Sequence, residues 1–322
     1  MKTLIALLSL ALAAFSAAAQ EWPTRPIRIV MPFGPGGVVE SVFAAIHPQI
    51  EAKLGQRILV ENRPGGGGNV GAQSVLAAPA DGYTILVAPN NVMVINPFLF
   101  DKTPFEPLKD FLPITKLMDV PLVISVSAKL PINSVKELID YAKATPGKVN
   151  YASPGPATPP HLAGEMFARA SGVQMVHVPY KGGNAAATAL ITNEVQVFIV
   201  AYASLRGQIQ GGLVRPIAAA SPQRLAALPN VPTVAESGYP KIEAEIHPSW
   251  WGLFAPRGTP DAVLSRLYNE YRAALTLPEA QSRLREAGLV AGGNRPAEFA
   301  ASLPPQAASW EATIKALGIK VN

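Results

Sequence analysis

Pro32-Phe33-Gly34-Pro35-Gly36-Gly37 interrupts the chain directly after the apolar run Ile27-Arg28-Ile29-Val30-Met31 and directly before a stretch of helical spacing, Val38, Val39, Val42, Ile46 and Ile50. The same object recurs in the other half: Val149-Asn150-Tyr151-Ala152-Ser153, then Pro154-Gly155-Pro156-Ala157-Thr158-Pro159-Pro160, then a helical stretch from about His161 to Ala170. Each reads as strand, Gly/Pro loop, helix start. In an open α/β sheet, ligands sit outside the carboxyl ends of the strands. Helix N-termini there carry unpaired backbone N–H groups and a positive dipole end, which suits an anion. Two such mouths, one per lobe, would form a clamp.

Working outward, a second unit follows the first: Arg57 to Asn62 as a strand, Arg63 to Gly68 as a loop, and a helix to about Ala78. Asp81-Gly82 signals a turn and Tyr83 to Val87 a third strand. The pattern restarts with the strand Leu122 to Val126 and a helix capped by Ser134, with Glu137 completing a capping box. Strands at 173–178, 195–200 and 214–220 and a helix over 184–191 complete that half. Alternation of this kind predicts parallel α/β sheets. Ser249-Trp250-Trp251-Gly252-Leu253-Phe254 reads as a strand returning to the first lobe. Helices follow over 260–275, 279–287 and 297–317, the last expected to break at Pro304-Pro305. The expected division is residues 20–123 plus 246–322 as a discontinuous first lobe and 124–245 as the second.

The first nineteen residues stand apart. Lys2, an apolar run from Leu4 to Phe15 and Ala17-Ala18-Ala19 form a secretory signal, with cleavage expected near Ala19. The run is shorter than the roughly 20 residues a membrane-spanning helix needs. Its removal takes away Lys2 alone among charged residues, so the net charge of +5 becomes +4. That excess favours anions only weakly. No basic block interleaved with aromatics marks a nucleic-acid surface. The chain has no cysteine, which excludes disulfide staples, thiol nucleophiles and thiolate metal sites.

Gly66-Gly67-Gly68-Asn69-Val70-Gly71 matches a dinucleotide-binding fingerprint, but the acid expected about 20 residues on is replaced by Asn90 and Asn91. A glycine loop turning tightly into a helix is the better reading, and no cofactor is expected. His47, His161, His177 and His247 show no metal-ligand spacing. His161 could meet a ligand or bond its own loop. Lys181 could close a carboxylate site or stand in solvent. No G-x-S-x-G elbow occurs, and Glu61, Glu165 and Glu194 have no legible pairing. No catalytic or metal site is expected.

Several segments together resemble the periplasmic receptors of tripartite tricarboxylate transporters, the Bug family. They are Pro23 to Arg28, Pro32 to Gly37, Val60 to Gly65, Asp81 to Thr84, Tyr151 to Gly155, His161 to Phe167, His177 to Gly183 and Leu228 to Thr233. The resemblance implies a Venus-flytrap fold of two α/β lobes holding one small organic carboxylate, no catalysis, and a membrane permease as partner. It also implies the ligand-binding set Phe33, Gly36, Gly37, Val38, Asn90, Asn91, Ser153, Gly155, Ala157, Thr158, His161 and Tyr202. Phe33 would wall the ligand, the glycines would let backbone approach it, and Thr158 would offer a hydroxyl. Where the family usually has Asp three residues after the double glycine, this chain has Glu40. At later cleft positions where Asp, or Asp or Asn, is common, it has Ala189 and Ala201-Tyr202, so the cleft carries fewer acids. An amino-acid ligand would therefore lack partners for its ammonium, and a dicarboxylate or aromatic carboxylate, adipate-like or terephthalate-like, is expected. The alternatives are a sensor presenting its closed form to a membrane kinase, and an exported α/β enzyme.

Overall fold

The computed structural model describes residues 22–35, 38–156, 158–246 and 249–320. The signal segment, Gly36, Gly37, Ala157 and His247 lie outside the described residues. Two mixed sheets carry the chain. The first has the order β11-β4-β10-β3-β1-β2 and the second β7-β6-β8-β5-β9.

In the first sheet, β1 (Ile27–Met31) pairs in parallel with β2 (Ile58–Asn62) and β3 (Thr84–Pro89). Strand periodicity sorts the side chains of β1. Ile27, Ile29 and Met31 enter a core with α1 (Val38–Leu54), α7 (Asp261–Leu275) and α8 (Pro278–Glu286), while Val30 points into the core on the other face. All of β3 is buried, as a strand covered on both faces must be. The glycine run leads into α2 (Asn69–Leu76).

Three strands depart from the parallel sheets expected. β10 (Ser249–Pro256) enters the first sheet between β3 and β4 (Phe111–Val120) and runs antiparallel to both. It re-enters from the far end, so its direction is reversed. β11 (Val290–Ala291) also pairs antiparallel with β4. In the second sheet, β6 (Val149–Ser153) is parallel to β7 (Met175–Pro179) and β8 (Val197–Ala201), whereas β5 (Leu122–Ser127) runs against β8 and β9 (Val214–Ala220). β4 carries Pro113 opposite Phe254 at a register shift, the place where a sheet tolerates proline. The helix expected to break at Pro304-Pro305 is continuous as α9 (Pro296–Leu317). Phe299, Leu303, Trp310 and Ile314 bury one face of it, and that packing outweighs the local break.

The remaining helices of six or more residues among the described residues are α3 (Val135–Ala144), capped by Ser134 as expected, α4 (Pro159–Ser171), α5 (Gly183–Thr192) and α6 (Pro240–Glu245). Among the described residues, no helix is long and apolar enough to cross a membrane.

Pro121 alone separates β4 from β5. β4 runs in the direction of β3 and β1, since both β3 and β4 oppose β10. β5 starts beside the carboxyl end of β8, with Leu122 opposite Ala201. The carboxyl ends of the parallel strands in the two sheets therefore face each other. Ala201 packs on the first sheet's core, in line with this.

The packing leaves a sharp constraint at Gly164 in α4. A Cβ there would lie 2.2 Å from the buried Tyr151 ring. Gly164→Ala is expected to destabilise the protein by about 1–3 kcal/mol, read as a shifted urea midpoint with an unchanged slope; a wild-type midpoint would refute this packing.

Candidate functional site

The first loop is held from below and behind. Pro32 is buried and Phe33 half-buried. The Phe33 ring stands edge-on to Trp251 of β10, 5.9 Å between centroids. Its carbonyl accepts a bond of 2.9 Å from Asn62 Nδ2, which also lies 3.4 Å from Glu40 Oε1 in the first turn of α1. Gly71 allows α2 to press on this loop: a Cβ there would fall 2.8 Å from Pro32 Cα and 3.0 Å from the Arg63 carbonyl. Gly68, at φ +101°, sits against Val92, Pro32 and Phe33. The glycines that mimic a dinucleotide fingerprint thus serve as a close-packed shelf. Val38 opens α1 directly after the loop.

Asn90 and Asn91 tie the shelf to the sheet. Asn90 is 2% exposed and its Oδ1 accepts from Ser249 Oγ at 2.9 Å. Asn91 Nδ2 donates to the Gly67 carbonyl at 2.8 Å and lies 3.3 Å from Asn96 Oδ1. Asn96 in turn donates to Gly67 O and to Asn69 Oδ1. The π-helical turn Asn91–Ile95 aims these amides, an irregularity that helices often reserve for functional sites.

At the second mouth, Ser153 ends β6 with no exposed surface. Its Oγ donates to the Gly155 carbonyl at 2.8 Å, accepts from Gly155 N–H at 3.1 Å, and lies 2.7 Å from His177 Nε2. A hydroxyl has one proton and two lone pairs. With the proton given to Gly155, His177 must donate from Nε2, and the hydroxyl is saturated. The pair has the spacing of a nucleophile and its base, yet a buried, saturated hydroxyl cannot attack a substrate. Thr158 Oγ1 also donates to Gly155 O, at 2.7 Å, so Ser153 and Thr158 together pin a glycine at φ +152°. Pro159 and Pro160 open α4 and supply no N–H, so this helix start offers fewer backbone donors than the usual one.

His161 is buried at 8% exposure and stacks on His177, ring centroids 3.8 Å apart. Tyr151 stacks behind His177 at 5.1 Å and donates its hydroxyl to Glu165. Burial lowers the His161 pKa to about 4, with the neighbouring His177 adding to the shift; burial lowers that of His177 too. The stack is neutral near pH 7. Tyr202 is buried with Val123, Ala219 and Leu225. Its ring rests on Gly288, where a Cβ would lie 2.7 Å from it. Its packing thus joins the end of β8 to the α8–β11 turn and not to the Phe33 loop. Lys181 is exposed.

The two loops lie on one side of the Pro121 crossing. Residues Ser221 to Ala226, which follow β9, share a crevice with Lys116 and Asp119 of β4 and with β11. The β9 edge therefore stands over the β11 edge, and β6 and β7 fall over the β3–β1–β2 side. β1 is three strand positions from β4, and β6 two from β5, about 14 Å and 10 Å at the usual strand spacing. Sequence reasoning missed the supports Asn62, Trp251 and His177. An asparagine at a strand's carboxyl end was the one available signal. Among the described residues, no group of His, Asp and Glu side chains could hold a metal ion.

The family model for the tripartite tricarboxylate transporter family receptor matches residues 42–319. The chain belongs to this family. Its members are periplasmic solute-binding receptors and not enzymes. BugT of Bordetella pertussis is 30% identical over 308 residues, covering 94% of this chain and 93% of BugT. The solved structure of R. palustris Rpa4515 with adipate is 32% identical, with a TM-score of 0.81 over 93% of this chain and 99% of that one. MatC (Rpa3494) from Rhodopseudomonas palustris with bound malate is 27% identical, with a TM-score of 0.76 over 91% of this chain and 100% of that one. The two-lobed periplasmic-binding-protein fold is thus established for this receptor.

The buried imidazoles set a pH dependence. His47, stacked on Phe43 and bonded to Tyr271, is also lowered to about 4 by burial. Below about pH 6.5 the unfolded chain takes up protons that the folded His47 and His161 refuse. Their contribution is complete above that pH and is lost as pH falls toward about 4. Between pH 7.5 and 5 the receptor should lose on the order of 1–2 kcal/mol per histidine. His161→Gln should flatten this slope in denaturant titrations; an unchanged slope in both His161→Gln and His47→Gln would contradict the assignment.

Proposed function

We propose that the receptor captures a small organic carboxylate, a dicarboxylate or aromatic acid such as adipate or terephthalate, between two lobes in the periplasm and hands it to a tripartite tricarboxylate-type permease. The observation that carries this reading is the opposition, across Pro121, of the Phe33 loop and the Ser153–Thr158 loop at facing strand ends. The proposed lobes are residues 20–123 plus 246–322 and residues 124–245, in a mature chain cleaved near Ala19.

Ligand contact in this proposal falls on Phe33, on the backbone of Gly36, Gly37 and Val38, on Asn91, and on Gly155 to Thr158. Ser153, Asn90, His161 and Tyr202 act from behind, since each is buried and engaged by neighbouring groups. Recognition then rests on main-chain donors and one aromatic wall. Such a site grips a carboxylate, while Glu40, the acid in the first turn of α1, is engaged by Asn62. That favours plain acids over amino acids. The bound adipate of Rpa4515 and malate of MatC, both in relatives of this fold, support the same class.

Thermal melting of the mature protein with adipate, terephthalate, aspartate and glutamate separates the ligand classes. The melting temperature should rise with one of the plain acids, and Phe33→Ala should weaken that ligand about tenfold in calorimetry. Stabilisation by aspartate or glutamate alone would overturn the proposal. Deleting the gene and measuring uptake apart from transcriptional induction distinguishes transport from sensing, with loss of uptake expected.

A further inference from the structure

A second crevice lies on the other side of the Pro121 crossing, opposite the proposed cleft. It encloses about 620 Å³, within the size range of small-molecule sites. One wall comes from the first sheet and its helices: Lys116, Asp119, Arg285 and Leu289. The other comes from the segment after β9, with Ser221, Arg224 and Leu225. Two of its lining residues, Leu225 and Gly288, pack against the Tyr202 ring.

The charges in this crevice do not balance. Lys116 Nζ lies 2.8 and 2.7 Å from the two Asp119 oxygens, and the pair cancels. Arg224 is tied to Glu236 at 2.8 Å and to the Pro229 carbonyl. Glu236 is further held by the Thr233 N–H. Arg285 has no carboxylate within ion-pair distance among the described residues, and its side chain stands on the rim of the crevice. Pro121, Leu225, Leu289 and Ala291 give the crevice an apolar wall, beside the uncharged Ser221, Gln223 and Gln281. One uncompensated guanidinium at the mouth of an apolar hollow selects a molecule of matching polarity. The fork of an arginine meets a carboxylate or sulfonate through two parallel bonds, while apolar walls gain by covering hydrocarbon.

We propose that this crevice is a second binding site, separate from the cleft, for a small amphipathic organic anion with one carboxylate or sulfonate head and a hydrocarbon body. The head lies on Arg285 and the body lies against Leu225 and Leu289.

Calorimetric titration of the mature protein with octanoate and benzoate tests it, with inorganic phosphate as the charge-only probe and benzyl alcohol as the body-only probe. Saturable binding of an acid is expected to survive Phe33→Ala, to weaken about tenfold in Arg285→Ala and to recover in part in Arg285→Lys. In amide chemical-shift mapping of the unaltered protein, the acid should move residues 221–226 and 288–291. The mapping stands independently of whether the variants fold. Absence of saturable acid binding overturns the proposal. So does binding abolished by Phe33→Ala but kept in Arg285→Ala, which assigns the acid to the cleft. Phosphate binding as tight as either acid overturns it as well, because the apolar walls would then contribute nothing. Failure of adipate or terephthalate to bind the cleft leaves each of these readouts intact.

Discussion

The architecture depends on a linker of one residue. β4 and β5 belong to different sheets, yet only Pro121 stands between them. A connection this short cannot turn the second sheet around, so the end of β4 and the start of β5 must meet. β4 shares its direction with β1 and β3, and β5 starts where β8 stops. Facing carboxyl ends follow from strand direction alone. A proline also fixes one backbone dihedral at the crossing, which narrows the paths by which the lobes can move. The crossing divides the space between the sheets into two hollows, with the Gly/Pro loops on one side and Arg285 on the other.

Within the cleft side, the polar groups that look most reactive are already committed. The Ser153 hydroxyl, the Thr158 hydroxyl and the Asn90 and Asn91 amides all bond neighbouring backbone or side chains. Buried polar groups left without partners cost free energy, so bonding them locally fixes these side chains without a ligand. Side chains already fixed lose less conformational freedom on binding than free ones. The glycine shelf contributes to the same end. Gly71 lets α2 reach the back of Pro32 at a distance no Cβ would permit, and Gly68 gives the same room against Val92. What resembled a nucleotide motif is a packing device.

The sequence was legible where local chemistry and tertiary role coincide. Gly/Pro interruptions marked both mouths, Ser134 with Glu137 marked a helix start, and the apolar Trp250 to Phe254 run marked the return strand β10. It was not legible where one is set by the other. β4 carries Pro113, Lys116 and Asp119, and its status as a strand comes from pairing with β10 along its whole length. The antiparallel sense of β10 depends on where the chain re-enters, which no residue type records. His161, His177 and Tyr151 become a stack only because β6, β7 and α4 converge. Pro304 and Pro305 signal a break that Phe299, Leu303, Trp310 and Ile314 override by burial.

The Ser153–His177 pair shows why distance alone does not define chemistry. At 2.7 Å the two groups match the separation of a nucleophile and its base. Attack on a substrate needs a free lone pair facing an open space, and Ser153 has neither. Its proton lies on Gly155, its lone pairs take the Gly155 N–H and the His177 Nε2–H, and none of its surface is exposed. His177 is backed by His161 and Tyr151, and among the described residues no carboxylate bonds its other ring nitrogen. Burial holds its pKa below the ordinary value, so it is a weak proton acceptor. The same bonds that disarm the hydroxyl hold Gly155 at φ +152°, a setting that favours glycine. A constellation that would be catalytic if exposed is here a brace, and a receptor that must release its ligand unchanged is better served by the brace.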